Sequence, residues 1–167
     1  MPGQAGRCAP GVAPLKIMDI VVQDAVLLEL EAGPKRDVLT QMAGSLAGAV
    51  PELDGERLLQ VLMDREGLQS TGIGEGVAIP HGKFPGLDRL LATFARSTPG
   101  IDFEAVDGQP THLFFLLVVP EHSGGQHLKA LARISRFFRD ASFRKRLMEA
   151  SSVEEVFDAI GEEDAKF

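Results

Sequence analysis

The chain has 167 residues, with 17 basic and 24 acidic side chains and a net charge of −7. That length suits one domain with a sizeable core, and the acidic balance argues against a general nucleic-acid or membrane-surface binder, since either wants a basic excess. The single cysteine, Cys8, excludes an internal disulfide and any multi-cysteine metal or redox centre, so the four histidines are the first place to look for chemistry near neutral pH.

The opening residues, MPGQAGRCAPGVAPL, are rich in Pro, Gly and Ala and have no apolar core. Residues 1–15 are read as a disordered leader and not as a signal peptide, with Cys8 incidental within it. A single domain is expected over 16–167. No run reaches the roughly 18 consecutive apolar residues of a membrane span, so a cytoplasmic location without membrane insertion is expected.

The short apolar run Asp24 to Leu30 reads as a strand. From Pro34 to Val50, apolar residues at Val38, Leu39, Met42, Leu46 and Val50 recur at helical spacing, with Pro34 suited to a first turn and Pro51 as the stop. Asp54 caps a second helix whose inward face is Leu58, Leu59, Leu62 and Met63, and which runs out at Gly67. Three strands follow, at Val77 to Ile79, Leu90 to Arg96 and Leu113 to Val119. The last, LFFLLVV, is apolar on both faces and belongs at the centre of a sheet covered on each side. Helical spacing returns at Gln126, breaks near Asp140 and resumes from Phe143 to Met148. Ser152 and Glu155 have the form of a capping box opening a last helix to Ile160. The expected fold is α/β (α+β): a mixed sheet flanked by helices on both faces, in the order β-α-α-β-β-β-α-α-α.

The densest chemical signal is STGIGEGVAIPHGK, residues 70–83. Its glycines give a backbone that can present N–H groups to a phosphate. It is neither a dinucleotide fingerprint, because Val77 stands where glycine is needed, nor a P-loop, because Phe84 follows Gly82-Lys83. His81 lies between a residue of fixed φ, Pro80, and one with no side chain, Gly82. That setting suits a ring nitrogen presented as nucleophile or ligand, and it equally suits a histidine satisfied within a turn.

STGIGEGVAIPHGK, with DRE before it and LLVVPEHSGGQHLKALARISRFFRD after it, resembles the IIA domains of the fructose–mannitol type in the phosphoenolpyruvate-dependent phosphotransferase system, and among them the stand-alone nitrogen-regulatory form. The likeness runs from about Leu15 to Ile160. It implies a phosphohistidine carrier, a phosphotransferase that accepts its phosphoryl group from a histidine-containing phosphocarrier protein and needs no cofactor or metal. The family's phosphorylated histidine falls on His81, its arginine on Arg65 and its second histidine on His127. Possible regulatory targets implied by the likeness are proteins of the sensor-kinase or potassium-transporter type.

Elementary chemistry agrees with those assignments. Phosphoryl transfer spreads charge over three equatorial oxygens, so positioning and cationic donors do most of the work. Arg65 can hold two oxygens with its planar fork, and His127 at a helix start can donate to them where an anion is favoured. Thr71 and Gly72 offer a hydroxyl and an N–H to the phosphate. Each has a plain structural reading beside the chemical one: Arg65 facing a helix dipole, His127 without a role, Thr71 and Gly72 forming a turn. His112 reads as structural, and His122 is the nearer to the site of the two remaining histidines.

From Lys129 to Arg146 the chain carries seven basic residues against Asp140, a local charge of +6 that leaves −13 elsewhere. Lys129, Arg133 and Arg136 follow helical spacing and are expected to form one exposed stripe, either simply solvated or docking an acidic partner. With no interleaved stacking aromatic, the stripe does not read as a nucleic-acid footprint. The short chain leaves no room for a permease or a fused IIB domain, which favours regulation, with a IIA subunit of a fructose- or mannitol-type uptake system as the alternative. A non-catalytic binding module and a metal site built from His81, His122 and His127 are further readings.

Overall fold

Around the strand at Thr111–Pro120 the rest of the protein assembles. The structure, a computed structural model, describes residues 15–167. Cys8 and almost all of the expected leader lie outside the described residues. Five strands form one mixed sheet: β1 Gly72–Gly74, β2 Val77–Ala78, β3 His81–Phe84, β4 Leu91–Ile101 and β5 Thr111–Pro120. β4 lies antiparallel along one edge of β5, while β2 and β3 lie parallel along the other. Val77 opposes Leu113 and His81 opposes Leu117, so β2 and β3 continue one line in a single register. Pro80, which has no N–H to donate, interrupts that line, although its carbonyl still accepts from the Leu117 N–H at 2.9 Å.

Period-two alternation on β5 explains why it is central. Leu113, Phe115, Leu117 and Val119 belong to one buried cluster, and Phe114, Leu116 and Val118 to the other. The second cluster is covered by α1 Lys35–Ala49 and α2 Gly55–Glu66, through residues such as Leu39, Met42, Leu46, Leu58 and Leu62. The first is covered by α3 Gln126–Arg139, α4 Ala141–Glu149 and α5 Val153–Lys166, through residues such as Ile134, Phe137, Phe143, Val156 and Ile160. The expected mixed sheet with helices on both faces is the observed fold.

Local capping follows the sequence closely. Asp54 accepts from the Glu56 and Arg57 amides, and Asp140 from Ser142 and Phe143, so each carboxylate starts its helix where Asp was placed. The Ser152 side chain accepts from the Glu155 amide as a capping box requires, but the Glu155 carboxylate reaches Ser151 in place of Ser152.

Three expectations are corrected. The run Asp24 to Leu30 is not a strand: a 3₁₀ turn, Gln23–Ala25, takes its start, and within it only Leu27 makes an isolated bridge, to Ala95 of β4; a further 3₁₀ turn, Ile17–Asp19, and a bridge from Val21 to Ala92 precede it. His81, beyond the expected strand Val77 to Ile79, begins a strand of its own, β3, because the ladder with β5 resumes after Pro80. The last helix does not stop at Ile160 but continues to Lys166. Asp164 on that extra length accepts from the Ile17 and Met18 amides at 3.0 and 2.8 Å and pairs with Arg133 at 2.9 Å, so long-range bonds hold the final turns in place.

Candidate functional site

His81 faces the α3 side of the sheet, in register with Leu117, and Gly82 faces the α2 side. A Cβ on Gly82 would lie 2.5 Å from Cγ1 of Val61, so α2 can approach β3 this closely only over glycine. That contact brings the last turn of α2, with Arg65, beside His81. On the opposite side, Gly124 and Gly125 (φ 63° and 107°) turn the chain from the end of β5 into α3. The turn places His127 in the first turn of that helix. Arg65, His81 and His127 therefore line one cavity of about 510 Å³, with Lys83, Leu117 and Leu131.

The Nδ1 atom of His81 is 2.8 Å from the Ile79 carbonyl oxygen. A carbonyl can only accept, so Nδ1 carries the proton and Nε2 keeps its lone pair. Burial pushes the imidazole below its ordinary pKa of 6.5; the Arg65 charge pushes the same way, while the Ile79 bond and the Glu66 carboxylate oppose them. The ring is thus held neutral, in one tautomer, with one nitrogen available. Arg65 donates from Nη1 to the Gln69 carbonyl at 2.8 Å, which orients the guanidinium at the end of α2. The Nδ1 atom of His127 lies 2.9 Å from the Ser123 hydroxyl oxygen.

Thr71 and Gly72 depart from the expected phosphate contacts. Both line the neighbouring cleft of about 390 Å³ that shares Arg65 and His81, but their donors are committed elsewhere. The Thr71 amide and hydroxyl both donate to the Glu66 carboxylate, and the Gly72 amide donates to the Ser70 hydroxyl at 3.1 Å. The lack of a Cβ at Gly72 serves Ala105, whose Cα would stand 2.9 Å from one. Glu66, which sequence reasoning passed over, is the anchor here: its side chain is 2% exposed and pairs with Lys35 at 3.0 Å. Burial with three donors, not the loop's glycines, organises the approach to His81. The signal for Glu66 is its place directly after Arg65 on a helix end, and that for Lys83 is its spacing of two from His81 on a strand.

The other histidines do not join the cavity. His112 sits by the Ser97 and Thr98 carbonyls at 3.1 and 3.2 Å, a structural placement. His122 is 93% exposed, near only the Glu121 carboxylate at 3.8 Å, so the three-histidine metal site is not assembled. The basic stripe is also broken. Arg133 is turned inward to Asp164, while Lys129 and Arg136 stay exposed, Arg136 over the Phe167 ring. Arg144 and Arg146 are paired with Glu75 and Glu162. Helical spacing placed these cations on one face but could not show which of them find internal partners.

Residues 19–163 match the family described as "Phosphoenolpyruvate-dependent sugar phosphotransferase system, EIIA 2". The chain belongs to this family. Among its relatives, a nitrogen regulatory protein of Bradyrhizobium diazoefficiens is 41% identical over 149 residues, covering 87% of this chain and 95% of that one. A fructose-specific EIIABC component of Bacillus subtilis is 35% identical over 150 residues, covering 90% of this chain and 24% of that much longer protein. The crystal structure of nitrogen regulatory protein IIA-Ntr from Neisseria meningitidis superposes with a TM-score of 0.80 at 35% identity, covering 86% of this chain and 98% of that one. As an EIIA 2 domain, the chain belongs to a family of phosphotransfer proteins. No helix among the described residues is long and apolar enough to cross a membrane.

Proposed function

We propose that the chain is a cytoplasmic phosphocarrier of the phosphotransferase system with a regulatory role, accepting a phosphoryl group on Nε2 of His81 from a histidine-phosphorylated carrier protein. The observation that carries this reading is the hydrogen bond from His81 Nδ1 to the Ile79 carbonyl, which leaves the Nε2 lone pair facing the cavity of Arg65 and His127. In the transfer, the P–N bond to the donor's imidazole breaks and its electron pair stays on the donor nitrogen. The Nε2 lone pair forms the new P–N bond. The Nδ1 proton stays on the ring, and the positive charge this gives the ring is stabilised by the Ile79 carbonyl and the Glu66 carboxylate. Arg65, His127 and Lys83 supply donors to the phosphoryl oxygens as their charge develops. Thr71 and Gly72 support the site through Glu66 and the loop and do not touch the phosphate.

The regulatory reading draws on the nitrogen regulatory relatives, which the chain matches over nearly their whole length. A second reading, the IIA component of a fructose-type uptake system, draws on the likeness to the Bacillus subtilis fructose protein. The test is intact mass after incubation with phosphoenolpyruvate, enzyme I and the phosphocarrier. An acid-labile phosphoryl adduct is expected on wild type, absent from His81→Ala and sharply slowed in Arg65→Ala and His127→Ala. An unmodified mass on wild type overturns the carrier reading and leaves a binding module. Onward transfer to a fructose-type IIB domain, at a rate matching uptake, favours the second reading over the first.

A further inference from the structure

We infer that Ser123 is a positioning residue for phosphoryl transfer: its hydroxyl donates to Nδ1 of His127 and holds that ring as the neutral Nε2–H tautomer, an N–H donor aimed at a phosphoryl group on His81. The inference rests on the phosphocarrier reading.

Ser123 lies in the turn between β5 and α3, two residues before the helix cap Gly125 and four before His127. Both residues are half-buried, and the hydroxyl oxygen is 2.9 Å from Nδ1. In that position Ser123 is not an ordinary cap. Its side chain serves the ring and leaves the helix amides alone, while its carbonyl accepts from the Gln126 amide at 3.2 Å.

A hydroxyl can donate or accept, so the distance alone does not set the proton. Two surrounding fields do. The open amides of the first turn of α3 place partial positive charge around the ring, a field that suits a lone pair on Nδ1. The phosphoryl group would bring negative charge to the cavity side, where it favours an N–H on Nε2. With Nε2 protonated and the ring neutral, Nδ1 carries a lone pair and the hydroxyl must be the donor. The remaining charged or titratable groups lining the cavity are Asp64, Arg65, His81 and Lys83. Among these, Asp64 accepts from Gln60 on the same helix, at 2.8 Å.

The two histidines then have opposite proton arrangements because their partners differ. The Ile79 carbonyl can only accept, which frees the His81 Nε2 lone pair to attack. The Ser123 hydroxyl can donate, which frees His127 Nε2–H to bind what has been transferred. Two N–H groups facing one phosphorus would leave the site without a nucleophile, and two lone pairs would leave His127 unable to donate.

The test joins long-range ¹H–¹⁵N spectra of the imidazoles, read on the unphosphorylated full-length chain, with single-turnover phosphoryl uptake from the phosphorylated carrier. Wild type and Ser123→Thr should show His127 protonated at Nε2 alone and should take up phosphate at similar rates. Ser123→Ala should show mixed tautomers and transfer about tenfold more slowly, the worth of one hydrogen bond of about 1.4 kcal/mol. A chain that phosphorylates while His127 carries its proton on Nδ1, or one in which Ser123→Ala transfers as fast as wild type, overturns the inference and leaves the carrier reading intact. A wild type that takes up no phosphate overturns both.

Discussion

His81 is the residue through which burial becomes chemistry. Its imidazole is held below the ordinary value of 6.5, chiefly by burial and further by the Arg65 charge. Protonation would occupy the Nε2 lone pair, so uptake must fall as the ring titrates. Because the pKa is lowered, the acid limb of the rate profile should lie below pH 6.5, and Arg65→Ala should move that limb upward by removing that lowering charge. An acid limb at or above 6.5 in wild type, measured by single-turnover uptake, would contradict the burial argument. The family resemblance pointed to His81, Arg65 and His127, and the fold brings all three to one cavity. They did not show that the donors of Thr71 and Gly72 are consumed by Glu66 and Ser70, because Glu66 lies five residues from Thr71 with a helix end and a turn between them.

At the scale of elements, the site depends on how closely α2 lies on β3. Gly82 permits the contact with Val61, and Arg65 follows one turn later on the same helix. Gly82→Ala should push α2 away, at a cost of about 1–3 kcal/mol in stability, with slower phosphoryl uptake as Arg65 is displaced from His81. Trimming the neighbour in Gly82→Ala/Val61→Ala should recover most of both losses, read by thermal unfolding and by uptake rate. A double variant no better than the single one would show that the glycine serves another purpose. The helix start at Asp54 was legible in sequence because a cap is a local bond within three residues; near Asp140 the sequence showed a break, and the carboxylate there starts α4 at Ala141, two residues before the expected Phe143. The first strand was misread because a short apolar run does not itself show whether a sheet edge is free to pair with it; here the run forms a single bridge, at Leu27.

For the whole molecule, the two ends of the described chain are tied together by Asp164. It is 3% exposed and accepts from the Ile17 and Met18 amides and from Arg133 on α3. Removing it leaves an inward-facing guanidinium and two amides without their acceptor. Asp164→Ala should therefore cost about 3 kcal/mol, seen as a lower urea midpoint, while the folded protein still phosphorylates at His81. A midpoint unchanged from wild type would mean that this clasp contributes nothing net. The same clasp accounts for the broken basic stripe and for the extra turns of α5, since both follow from one long-range carboxylate.

What the sequence by itself determined is what neighbours within a few residues encode: the two-faced alternation of LFFLLVV, the helical spacings and caps, and a histidine set between proline and glycine. Those features specify the sheet's central strand and the helices on its two faces, and they single out His81 as a candidate for chemistry. Only the tertiary structure decided where each polar group spends its hydrogen bonds. Glu66, Arg133, Ser123 and Gly82 each have several possible partners in an open chain. Closing the fold leaves each with the partners it can reach, and unpaired polar groups or overlapping atoms in the interior cost too much to allow others.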